Sequence, residues 1–322
     1  MHTLEQKIFN IRSEEEFTHV ALEVYDYQVT HCEIYRKYVQ QLHWPDPARV
    51  EEIPFLPISF FKSHVVQSDE KQTKLVFKSS GTGGSRSEHH VADPLMYETA
   101  FTHTYRNYLG PPEDQVILAL LPNYIEQGDS SLIYMVDRLI QQTNNPLSGF
   151  FPDEHSKLVE RYEEAIQQEK KVVIFGVSYA LLDLCLLTPD LHQAIIIETG
   201  GMKGRRKELT KAELHEQLST GLNCKNIRSE YGMTELLSQG YSNEKMLFQF
   251  APWMQYRIRE VNDPFSYITS EKTGGINLID LANLYSCSFI ATQDLGRHKP
   301  GGLEIMGRFD HSDIRGCNLL VQ

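Results

Sequence analysis

Three runs of apolar residues constrain the fold more than anything else in this sequence. Residues 116–122 (VILALLP), 171–177 (KVVIFGV) and 194–201 (AIIIETGG) each hold an unbroken apolar core rather than an alternating pattern, so each reads as a strand buried on both faces. Between and after them lie SSLIYMVDRLIQQ, HSKLVERYEEAIQQEK and ELTKAELHEQLSTGL, whose apolar residues recur at helical spacing. Buried strands alternating with amphipathic helices predict an α/β chain built on a largely parallel sheet.

The flanks differ from this middle. Residues 4–45 are rich in Glu, Gln, Tyr and Leu at helical spacing, and four prolines then fall within residues 43–62, giving a helical lead and an extended segment. Residues 73–91 (TKLVFKSSGTGGSRSEHHV) read as a short strand, a Gly/Ser loop, then a second strand or a turn, with a helix over 94–109. From residue 251 on, APWMQYRIREV, GGINLIDLAN and SFIATQDLGR suggest shorter strands joined by turns, an antiparallel or barrel-like element. The expected division is 1–53, 54–240 and 241–322.

With 31 Lys and Arg against 43 Asp and Glu, the formal net charge is −12. Such a surface repels polyanions, which argues against nucleic acid and anionic lipid as partners. No run of about 18 apolar residues occurs, and the N-terminus lacks the apolar core of a secretory leader, so we expect no membrane span and a cytoplasmic protein. The five cysteines (Cys32, Cys185, Cys224, Cys287 and Cys317) are scattered, with no CxxC pair, which argues against a disulfide framework or zinc ribbon.

Chemistry enters at Ser79-Ser80-Gly81-Thr82-Gly83-Gly84-Ser85. Glycines let successive backbone N–H groups approach an anion and hydroxyls add donors, so the loop suits phosphate, although a plain Gly/Ser turn has the same composition. A second cluster is Ser229-Glu230-Tyr231-Gly232-Met233-Thr234-Glu235: an aromatic for a base, a hydroxyl for a phosphate and a carboxylate for Mg²⁺, or else simply the start of a helix. His89 and His90 follow the Gly/Ser loop, where they can orient a carboxylate, shuttle a proton or sit solvated.

Taken in order, SSGTGG, TGG at 199–201, YGMTE, TQDLG at 292–296 and GRFD at 307–310 resemble the signature of the adenylate-forming superfamily of acyl-CoA synthetases, peptide-synthetase adenylation domains and firefly luciferase. No single fragment is diagnostic; the ordered set is. The resemblance implies the superfamily's large N-terminal domain, with mixed sheets flanked by helices and a smaller barrel-like β subdomain. It also implies ATP and Mg²⁺, and a carboxylic acid activated as acyl-AMP. By the same resemblance Ser79, Ser80, Gly81, Thr82, Gly83, Gly84 and Ser85 hold the β- and γ-phosphates, Gly200 and Gly201 wall the adenine pocket, and Tyr231 packs on adenine beside Gly232 and Met233. Thr234 meets the α-phosphate, Glu235 binds the metal, Asp294 and Arg308 bind ribose, and Tyr124, Gly176 and Ser178 line the acyl pocket.

Two departures from the pattern follow. The loop's usual Pro-Lys pair is replaced by Arg86 and Ser87, which implies that Arg86 takes the basic role. The sequence also ends a dozen residues beyond Asp310, where ordinary members carry a small C-terminal domain, so that domain is expected to be absent. A shortened branch, the LuxE-type acyl-protein synthetases, resembles the chain in this and in LPISFFKS at 56–63; its members store the acyl group on a cysteine near the C-terminus, which corresponds to Cys317. A reductase, an acyl carrier protein or CoA is then the downstream acceptor. Free CoA as the direct acceptor, or a nucleotide-binding subunit without chemistry of its own, are the alternatives.

Overall fold

In the computed structural model, residues 3–80, 86–122, 128–200 and 209–308 are described, and the chain divides into two compact units. One comprises the residues up to Gln72 together with those from Pro252 on; the other runs from Thr73 to Ala251. The helical lead and the β-rich part, expected as separate regions, thus belong to one unit.

That discontinuous unit begins with α1 (Leu4–Phe9), α2 (Glu14–His31) and α3 (Glu33–Gln41), followed by the short strand β1 (Leu56–Pro57). Thr3 and Ser13 each form a capping box with the Gln or Glu three residues on, satisfying otherwise unpaired N–H groups at the helix starts.

The Thr73–Ala251 unit opens with the antiparallel hairpin β2 (Leu75–Lys78) and β3 (Glu88–Val91), then α4 (Pro94–Leu109). Its sheet is built from β4 (Gln115–Leu120), β5 (Gly149–Phe150), β6 (Lys171–Val177), β7 (Ile195–Thr199), β8 (Ile227–Tyr231), β9 (Gly240–Ser242) and β10 (Phe248–Phe250). The intervening helices are α5 (Ser131–Thr143), α6 (His155–Gln167), α7 (Ser178–Leu184) and α8 (Lys211–Gly221). The order is β5-β4-β6-β7-β8-β9-β10, parallel as far as β8 and antiparallel beyond it. Every residue of β4 and β7 is buried, and every residue of β6 but Lys171, as their apolar runs require.

The motif Tyr231–Glu235 does not start a helix. It ends strand β8 and enters the connection to β9, because residues 227–229 pair with β7 while Glu230 and Tyr231 pair with β9.

The remainder of the first unit is an antiparallel run, β11 (Met254–Arg259), β12 (Gly274–Asp280), β13 (Phe289–Lys299) and β14 (Gly302–Arg308), with β1 parallel to β13. Of the two forms expected, it is the antiparallel one; no closed barrel forms among the described residues. Tyr25, Tyr35, Phe55 and Phe289 make its aromatic core through edge-on and stacked contacts of 6.1–6.4 Å. No helix among the described residues is long and apolar enough to cross a membrane.

Candidate functional site

The β2–β3 hairpin holds the two ends of the Gly/Ser loop. The Ser79 N–H donates to the Ser87 carbonyl at 3.0 Å, and the Ser87 N–H donates to Ser79 Oγ at 3.0 Å. A hydroxyl that accepts one bond still has a proton to donate, so Ser79 can fasten the loop and serve an anion. Ser80 is exposed, and the exposed Arg86 guanidinium lies 3.8 Å from Asp129, a surface pair of little energetic weight. Gly81, Thr82, Gly83, Gly84 and Ser85 lie outside the described residues, as do Tyr124, Gly201 and Cys317.

The carboxyl ends of β6, β7 and β8 bring the next group together. A Cβ on Gly176 would come within 2.6 Å of Leu181 Cγ, so glycine is what lets α7 turn back onto β6. Ser178, at the start of α7, has its hydroxyl within 2.9 Å of Glu198 Oε2 and 3.0 Å of the Gly200 carbonyl, to either of which it can donate. Gly200 has φ of +68°, a left-handed conformation that glycine adopts without strain.

Glu198 is fully buried. Its carboxylate accepts from Ser229 Oγ at 2.9 Å as well as from Ser178, and pairs with the Lys211 ammonium. Because Ser229 gives its proton to Glu198, its oxygen is left to accept from His215 Nε2 at 3.0 Å, which places the imidazole proton on that nitrogen. Burial pushes the His215 pKa down, consistent with a neutral ring. Glu230, 9% exposed, accepts from the Thr199 hydroxyl; burial, reinforced by the Glu198 charge, pushes its pKa up to about 7.

At the end of β8, Tyr231 is half-buried, with its ring edge-on to Phe248 at 5.7 Å and Phe250 at 6.5 Å. A Cβ on Gly232 would meet Glu230 Oε1 at 2.4 Å. Met233 and Thr234 are half-buried, and Glu235 is only 6% exposed. The Thr234 carbonyl accepts from His89 Nδ1 at 2.8 Å. Of the two histidines after the loop, His89 is buried and His90 is half-buried beside Glu88. Among the described residues no three His, Cys, Asp or Glu side chains converge as a metal-binding group.

In the discontinuous unit, Asp294 and Arg308 are cross-strand partners on β13 and β14, with Arg308 Nε 3.4 Å from Asp294 Oδ1. Asp294 is 6% exposed, and its N–H donates to Thr292 Oγ1 at 3.1 Å. Arg259 reaches along the sheet interior, donating to the Ile276 and Thr292 carbonyls and to Asn277 Oδ1 at 2.7–2.9 Å. Burial lowers its pKa, and the Asp294 charge works in the opposite sense.

Sequence reasoning gave no role to Glu198, Glu230, Lys211 or Arg259. The available signal was a carboxylate at the end of an otherwise apolar strand, in IIIET and IRSEY. Of the cysteines, Cys32, Cys224 and Cys287 are buried with thiol pKa values raised by burial, the setting of unreactive structural thiols.

Among solved structures, the chain is similar to 2-hydroxyisobutyryl-CoA ligase in an open conformation with 2-HIB-AMP and CoA, at 11% identity and a TM-score of 0.67, covering 94% of this chain and 77% of that one. It is also similar to O-succinylbenzoate coenzyme A synthetase from Bacillus subtilis in complex with AMP, at 19% identity and a TM-score of 0.51, covering 76% of this chain and 50% of that one. A third, McyG A-PCP complexed with phenylalanyl-adenylate, matches at 15% identity and a TM-score of 0.52, covering 74% of this chain and 47% of that one. The chain therefore spans about half the length of the last two. These likenesses establish the fold as that of the N-terminal domain of adenylate-forming enzymes. No curated protein sequence matches. The family model described as "Acyl-protein synthetase, LuxE" matches residues 7–322 and so runs through all five ordered motifs. By that match the chain belongs to the LuxE acyl-protein synthetase family.

Proposed function

We propose that this protein joins a carboxylic acid, a fatty acid in our reading, to AMP at the expense of ATP, and then passes the acyl group to a thiol, its own Cys317. The observation that carries the reading is the position of the YGMTE motif. It leaves the carboxyl end of β8, the last parallel strand, and in open α/β sheets ligands bind in the crevice outside the carboxyl ends of the parallel strands. Gly200 and Ser178 leave the ends of the neighbouring strands β7 and β6.

In the first step a carboxylate oxygen bonds to the α-phosphorus, the bond to the oxygen bridging the β-phosphate breaks, and pyrophosphate leaves. Two anions must approach each other, so the site has to neutralise charge and hold the attacking oxygen in line. Ser79–Ser85 and Arg86 take the β- and γ-phosphates, Thr234 the α-phosphate, Gly200, Gly201 and Tyr231 the adenine, and Asp294 with Arg308 the ribose. Glu235, a buried carboxylate on the turn after β8, would hold Mg²⁺, and the bound ion would supply charge neutralisation. In the second step the Cys317 thiolate, its proton released to water, attacks the acyl carbon; the bond to AMP breaks and a thioester remains. Tyr124, Gly176 and Ser178 border the acyl chain, and a reductase, an acyl carrier protein or CoA receives it in the cytoplasm.

The test is ATP–pyrophosphate exchange over a panel of fatty and aryl acids, followed by intact-mass measurement of the wild type and Cys317→Ser. We expect exchange with one acid class, an acyl adduct on the wild type alone, and at least a 100-fold loss of exchange in Glu235→Ala. Full exchange in Glu235→Ala would remove the enzymatic reading. Exchange without an adduct would make free CoA the acceptor, the reading suggested by the CoA ligases among the similar structures.

A further inference from the structure

His89 connects two motifs that lie far apart in sequence. It sits on β3, opposite Phe77 of β2, and burial alternates along the strand so that His89 and Val91 face inward. Ser87, two residues earlier, is also buried and closes the Gly/Ser loop through its paired bonds with Ser79. The imidazole is 1% exposed, and its Nδ1 lies 2.8 Å from the carbonyl oxygen of Thr234, 145 residues along the chain but within the same compact unit.

A carbonyl can only accept, so Nδ1 carries the proton in this bond. It does so in the neutral Nδ1–H tautomer and in the cation alike, so Nδ1 is committed to the backbone and does not serve as a general base. The segment it holds is the connection between Tyr231 and Gly240, the last β8–β9 pair before the chain loops out. Within that segment Leu236 N–H donates to the Met233 carbonyl at 3.2 Å, a local turn that does not anchor it to the hairpin. The bond from His89 does.

We propose that His89 is a positioning residue for adenylation: by holding the Thr234 carbonyl it fixes the turn bearing Thr234 and Glu235 against the strand that leaves the phosphate loop. This rests on the function proposed above. If the loop grips the β- and γ-phosphates while Thr234 and Glu235 act at the α-phosphate, the spacing between loop and turn sets the in-line geometry. A displacement of about 1 Å in such geometry costs about 100-fold in rate.

Three substitutions separate positioning from bulk. Asn places an amide N–H donor at the same distance from the backbone as Nδ1; Asp has the same shape without the donor; Leu fills the space without polarity. In His89→Asp and His89→Leu we expect kcat for ATP–pyrophosphate exchange to fall about 100-fold with KM for the acid unchanged. In His89→Asn we expect it to stay within about fivefold of wild type, because the donor is restored. Amide hydrogen exchange on the same proteins gives a readout independent of activity. Residues 232–238 should exchange about tenfold faster in His89→Leu and at the wild-type rate in His89→Asn, while β4 and β6 remain protected in both. Equal impairment of the Asn and Leu variants, or unchanged kinetics and amide exchange in Leu, would overturn the proposal. A wild type inactive with every acid would sink the adenylation reading and leave the His89 tie to be decided by amide exchange alone.

Discussion

Glu230 immediately precedes Tyr231 and is held under Gly232, with Thr199 donating to one carboxylate oxygen and the Glu198 charge nearby. Its pKa rises from 4.5 to about 7, so between those values the folded protein keeps a proton that the unfolded chain has lost. The native state therefore binds more protons than the unfolded one, and stability falls as pH rises through this window, levelling off above about 7. A shift of this size is worth on the order of 3 kcal/mol. Gln resembles the protonated acid and can still accept from Thr199. We expect urea unfolding free energies of the wild type to drop between pH 5 and pH 8 by on the order of 3 kcal/mol more than those of Glu230→Gln. Equal pH slopes for the two proteins would show that Glu230 is already ionised at pH 5. The Glu198–Lys211 pair and Glu230 were hard to find by reading because a carboxylate at a strand end looks the same in sequence whether it faces water or a buried network. What decides is which other strand ends adjoin it, and parallel neighbours lie dozens of residues away.

Among the elements, α2 is tied to the segment 283–288 by a fully buried polar side chain. Gln28 is fully buried; its amide N–H₂ group lies 2.9–3.0 Å from the carbonyls of Asn283 and Leu284 and from Ser288 Oγ, and its carbonyl accepts from the Ser288 N–H at 3.0 Å. Alanine there leaves buried polar groups unpaired and opens a void, so Gln28→Ala should cost about 3 kcal/mol. The exposed Gln40→Ala on α3 should stay within about 0.5 kcal/mol. Thermal or urea unfolding of both variants checks this, and equal small losses would show that α2 is held by its apolar face alone. Element identity was legible where local signals agreed. α4 follows its apolar spacing, begins at Asp93 and Pro94 with a capping bond, and ends at Gly110, whose φ is +93°. β8 was not legible, because IRSEY has one β-branched apolar residue and becomes a strand only by pairing with β7 and β9. Its pairing partners could not be read from local composition.

At the scale of the whole molecule, the connectivity has a consequence for folding. The unit containing α1–α3 is completed by β11–β14, so the chain must pass through all of Thr73–Ala251 before the first helices meet their sheet. Tyr35 stacks on Phe289 at 6.1 Å and Gln28 bonds to Asn283, Leu284 and Ser288; none of these partners exists until the last quarter of the sequence is present. The Thr73–Ala251 unit is continuous and holds its own buried strands β4, β6 and β7. A chain ended at Ala251 should therefore keep residues 75–250 protected from amide exchange and limited proteolysis. Residues 4–41 should be cut rapidly and lose their protection, since α1–α3 would expose the aromatic face that β13 covers. Retained protection of α2 in the truncated chain would show that the helical lead folds without the sheet, and would return it to the separate region that its sequence suggested. The same experiment bears on synthesis. If α1–α3 wait for β11–β14, the nascent chain carries Phe17, Tyr25 and Tyr35 uncovered for most of its translation, and a high yield of soluble full-length protein then depends on the strongly acidic surface keeping such intermediates apart.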